Sequence, residues 1–148
     1  GDTKSTVTGA AIGGVIGAIA GWFWGDSVVQ QKKEYASVEE QIRHSNQVMD
    51  KLITQTKARN AELAQVIADL KKENKNIASS DVKTKSQKMT REVDKRISIL
   101  NEEVTLARKA AHNASGNQKI ALRGKISTLS HEINSLKKHK RTLSSLSA

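Results

Sequence analysis

Five glycines at a strict spacing of four, Gly9, Gly13, Gly17, Gly21 and Gly25, lie within one apolar run, TGAAIGGVIGAIAGWFWGD at residues 8–26. On a helix this spacing lines them up along one narrow stripe, with Ile12, Val15, Ile16 and Ile19 covering the other sides. In water such a segment is a poor helix, because each interior Gly costs about 1 kcal/mol relative to Ala. In hydrocarbon the balance reverses: unpaired backbone groups there are too costly, and the helix must form. The missing side chains then let a second backbone come close enough to gain dispersion contacts. The stretch is therefore expected to pack against other copies of itself in or beside a membrane.

With those five glycines in register, the run resembles the glycine-zipper domains of bacterial cell-envelope proteins, many of them outer-membrane lipoproteins. The resemblance covers the N-terminal segment only. It implies membrane association and self-assembly, and a place in the cell envelope at the outer membrane or periplasm. The second apolar segment that completes a hairpin in many members of that group has no counterpart here, and the chain contains no Cys to carry an acyl group.

The apolar part, residues 7–25, would extend about 28 Å as a helix, close to the thickness of a bilayer's hydrocarbon core. Much of it is Gly and Ala, so one copy alone makes a marginal transmembrane helix. Trp22, Phe23 and Trp24 stand together at its end, directly before Asp26. Indole rings, apolar at one side and polar at the other, favour the headgroup level, which makes these three the expected membrane-interface residues.

Beyond residue 26 the pattern changes. Pro is absent, aromatic residues are only 3%, and apolar residues recur at helical spacing, so the fold class is all-α with no thick globular core. Tyr35, Ile42, Met49, Thr56, Leu63, Leu70 and Ile77 repeat every seven residues, with Val38, Ser45, Leu52, Arg59, Val66 and Glu73 in the companion positions. This is a heptad seam, broadened by Ile53 and Ile67, and it predicts a long coiled-coil helix over residues 27–78. The Ser79-Ser80-Asp81 punctuation then starts a second helix carrying Val82, Ser86, Met89, Val93, Ile97, Leu100, Val104, Ala107 and Ala111. Two successive steps of four at Met89, Val93 and Ile97 read as a stutter. After a turn at residues 113–117, a third helix bears Leu122, Ile126, Leu129, Ile133, Leu136 and Leu143. The last two helices are expected to form an antiparallel hairpin over residues 79–148. Three units result: a zipper segment at 1–26, a stalk at 27–78 and a basic hairpin at 79–148.

The formal charge of +10 is unevenly placed, with net −1, +2 and +9 on those three units in turn. Lys137, Lys138, Lys140 and Arg141 mark the candidate contact for an anionic surface such as acidic lipid or lipopolysaccharide. Nucleic acid is disfavoured, since the hairpin has no Trp, Tyr or Phe to stack bases. No catalytic set is expected: none of His44, His112, His131 and His139 lies in an HExxH motif, and no phosphate-binding loop or nucleophile elbow occurs. Metal and cofactor sites are not expected either. The reading is a non-enzymatic envelope protein that self-assembles as a scaffold or pore. Its alternatives are a secreted α-helical pore-forming protein and a soluble coiled-coil adaptor that binds a protein or anionic polymer through the basic hairpin.

Overall fold

A computed structural model describes residues 34–76 and 79–146. The glycine stripe at Gly9, Gly13, Gly17, Gly21 and Gly25 and the aromatic group Trp22, Phe23 and Trp24 lie outside the described residues. What is described is all-helical: α1 (Val38–Asn76), α2 (Ser79–Asn113) and α3 (Gly116–Leu146).

α1 starts later than the expected residue 27, and the reason is a local one. Ser37 Oγ accepts the Glu40 N–H at 3.1 Å, while Glu40 Oε2 accepts the Ala36 N–H at 3.1 Å. The first bond satisfies a backbone donor that the first turn leaves open and the second ties the preceding residue to that turn, much as in a capping box. Residues 34–37 accordingly lie outside the helix. At the other turn, α2 ends at Asn113 and the chain reverses through Gly116, whose φ of +59° suits a residue without a Cβ.

Polar bridges fix the directions of the helices. Asn113 Nδ2 donates to Gln41 Oε1 and Arg96 Nη2 to Gln55 Oε1, both at 3.1 Å, so α2 runs antiparallel to α1. Lys125 pairs with Asp50 at 3.0 Å and Asn60 Nδ2 donates to the Glu132 carbonyl at 3.0 Å, so α3 runs parallel to α1. Lys140 pairs with Asp94 at 2.5 Å, closing the antiparallel pair α2 and α3. All three helices share one core, from Val48, Met49 and Leu52 through Leu100 to Leu129 and Leu136. The helix expected as a stalk thus lies along both arms of the hairpin, and residues 34–76 and 79–146 pack as one three-helix bundle. Val48, Ile53 and Ile67 account for this: they widen the apolar stripe of α1 so that it faces two neighbours rather than one.

The seam of α2 also differs from expectation. Buried positions run Val82, Ser86, Met89, Val93, Arg96, Leu100, Glu103, Ala107 and Ala110, alternating steps of four and three without interruption, and Ala114, just past the helix, is buried as well. There is no stutter. Arg96 and Glu103, skipped as charged residues when the pattern is read by hydrophobicity, occupy regular seam positions, with Ile97, Val104 and Ala111 buried beside the seam. In α3 every expected core residue from Leu122 to Leu143 is buried.

Candidate functional site

Three features of the bundle are candidates, at its two ends and its waist. The end where α1 stops and α2 begins also carries the last turns of α3, and it holds the predicted basic group. Lys137, Lys138 and Arg141 are exposed there, but Lys140 is not part of the same surface: it is half-buried and turned to Asp94 on α2. The ion pair is open enough to solvent that its contribution is about 0–1 kcal/mol. Arg141 instead shares a shallow groove between α1 and α3 with Lys71, Thr142, Ser145 and Leu146. Lys71, sixty-six or more positions earlier in the sequence than the cluster, is the member that sequence reading alone missed. Next to the group, His139 is half-buried, and burial lowers its pKa from the ordinary 6.5, because taking up a proton there means losing hydration.

At the waist the core turns polar. Thr56, Asn60 and Arg96 are all buried. Asn60 Nδ2 bridges α1 to α3 through both the Glu132 carbonyl, at 3.0 Å, and Glu132 Oε1, at 3.1 Å. Arg96 reaches α1 through Gln55. Buried polar groups that find their partners only at one axial setting act as register marks along a helical seam, at a cost in stability. Asn60 Oδ1 and Thr56 Oγ1 show that cost, for both are buried and make no hydrogen bond among the described residues.

The third feature lies near the α2–α3 turn, which is the end where the chain preceding Glu34 joins the bundle. A groove of about 330 Å³ runs between α2 and α3, with Ala111 and Ile126 at its floor and Arg108, His112 and Arg123 around it. No residue of α1 lines it. Among the described residues there is no group of His, Asp and Glu arranged to hold a metal ion, and no helix is long and apolar enough to cross a membrane. No family model, curated protein or solved structure matches the chain.

Proposed function

We propose that this chain is a non-enzymatic component of the bacterial cell envelope that self-assembles through its glycine-zipper helix in a membrane and carries a helical bundle on the aqueous side. One observation supports this reading above the others. The bundle leaves little apolar surface uncovered: among the described residues only Val38 and Ile120 are large hydrophobics in exposed positions, at 49% and 71%. It therefore offers no apolar groove long enough to sheathe residues 7–25, and scattered exposed hydrophobics of this kind are ordinary on a soluble surface. The apolar run needs lipid, or copies of itself, to cover it. The glycine stripe meets that need, since small residues in register allow close helix association without large side chains.

In this reading the alternating three-and-four spacing of buried positions along α2 supports a coiled-coil-like spacer. It would extend about 58 Å, the length of the 39-residue α1 at 1.5 Å per residue. The end bearing Lys71, Lys137, Lys138 and Arg141 is then the one farther from the membrane, free to meet acidic lipid or lipopolysaccharide. The exposure of those cations equally favours a second reading, a soluble adaptor for an acidic polymer.

The full chain in detergent tests the first reading. Gly13→Leu with Gly17→Leu raises hydrophobicity yet should reduce the oligomer by crowding the stripe, as light scattering would record. An oligomer of undiminished size would mean that the stripe faces lipid instead. A full-length wild-type chain that stays monomeric in plain buffer without detergent would favour the adaptor. Dye release from liposomes separates a pore from an anchor.

A further inference from the structure

The geometry points to a phosphate-binding site in the groove between α2 and α3, formed by Arg108, His112 and Arg123 and taking a phosphoryl group of a small ester or a lipid headgroup. Arg108 and His112 are four apart on α2 and so stack on one face, and Arg123 faces them across the groove from α3. All three are open to a ligand. None of the three makes a hydrogen bond or ion pair among the described residues, whereas Lys125, a neighbour on α3, is already paired with Asp50.

The hairpin tip around them carries charge of one sign. From residue 104 to residue 131 the sequence contains no Asp or Glu, while it carries Arg108, Lys109, Lys119, Arg123 and Lys125. The acidic residues at the same end, Glu34, Glu39, Glu40 and Asp50, belong to α1 and the segment before it, which contributes nothing to the groove, and Asp50 is engaged by Lys125. Ordinary surface helices intersperse the two signs; here the hairpin tip itself keeps one sign only, and among the described residues Lys125, paired with Asp50, is the one of these five cations held by a carboxylate.

The donors also fit a phosphoryl group. A planar guanidinium offers paired N–H donors that match phosphate oxygens bidentately, and two of them on opposing helices can grip one phosphoryl group while His112 supplies a further donor. Charge-assisted bonds of this kind are about twice as strong as neutral ones. The apolar floor of Ala111 and Ile126 suits the carbon part of a phosphate ester rather than a second charge. Lys119, one turn nearer the hairpin turn on α3, adds to the attraction without lining the groove.

The site does not depend on the zipper, because free phosphate can reach it in solution. The test uses the full chain in mild detergent, with inorganic phosphate and glycerol 3-phosphate titrated separately and backbone amide shifts followed by NMR. Saturable shifts centred on Arg108, His112 and Arg123 are expected, with affinity falling at least tenfold in Arg108→Gln/Arg123→Gln. As a charge-matched control, Lys83→Gln/Lys88→Gln removes two exposed charges near the start of α2, at the opposite end, and should leave the affinity unchanged. Vesicles with and without phosphatidic acid then distinguish the source. Binding that depends on phosphatidic acid and on Arg108 and Arg123 assigns the site to a lipid headgroup, and phosphate-ester binding without that dependence assigns it to a soluble ester. Shifts that never saturate, or an equal loss in the two double variants, would reduce the effect to net charge and overturn the assignment.

Discussion

Replacing Asn60 by Leu is expected to stabilise the bundle while loosening its register. Asn60 sits in the seam at 7% exposure, and its amide nitrogen donates to the Glu132 carbonyl and to Glu132 Oε1. Its Oδ1 is buried with no partner among the described residues. Substitution forfeits two bonds worth about 0.5–1.5 kcal/mol each, but it relieves an orphaned acceptor that costs about 1–3 kcal/mol. Burying the Leu side chain adds about 1.5–3 kcal/mol. Little is orphaned in return, since Glu132 is only half-buried and its carboxylate can turn to water. The net is stabilisation by about 2 kcal/mol, or roughly 8 °C in Tm for a domain of this size. Thermal and urea unfolding followed by circular dichroism give the magnitude. Line widths in the amide spectrum report the second effect, because a Leu at this position no longer marks one axial setting of α1 against α3. If Asn60→Leu melts below the wild type, the bridge to Glu132 is worth more than its desolvation costs and the reasoning fails.

Two glycines of α3 should respond to the same substitution with opposite signs. A Cβ at either Gly116 or Gly124 would meet nothing within 4 Å, so sterics between residues do not decide the outcome. Gly124→Ala, in the helix interior, should add about 0.5–1 kcal/mol by raising helix propensity, whereas Gly116→Ala, at φ +59°, should cost about 1 kcal/mol or more. Urea midpoints of the two variants check this, and matching signs would refute it. The lowered pKa of His139 makes stability depend on pH. The unfolded chain takes up the proton first, so stability is full above about 6.5, declines as pH falls from there toward the lowered native pKa, and levels off below it. His139→Gln should flatten that decline, and urea midpoints at pH 7.5 and 5.5 measure it; an unchanged slope would show that His139 is not its source.

The helices were legible from periodicity, and the residues show why. Leu122, Ile126, Leu129, Ile133 and Leu136 can only be a stripe, and all are buried. Arg96 and Glu103 were harder, because a charged residue in a seam reads as an interruption until the partner helix is known to bring Gln55 opposite the guanidinium. The start of α1 was written in the sequence as Ser37 and Glu40, yet a long polar helix running in from residue 27 reads equally well without the cap geometry. The folding of α1 onto the hairpin was foreshadowed by Ile53 and Ile67, whose extra width needs a second neighbour. The groove was not legible as a site. Arg108 and Arg123 are separated by the turn, and only antiparallel packing sets them across from each other, although the acid-free stretch around them is plain in the sequence.

An odd number of antiparallel helices sends the chain in at one end of the bundle and leaves Leu146 at the other. Tension applied between those two points would act parallel to the helix axes. Under such loading the layers of the core must slide past one another together, instead of peeling apart one at a time as they would if both points lay at the same end. The topology thus resists end-to-end pulling in shear, with the polar waist at Asn60 and Arg96 placed to oppose the slide.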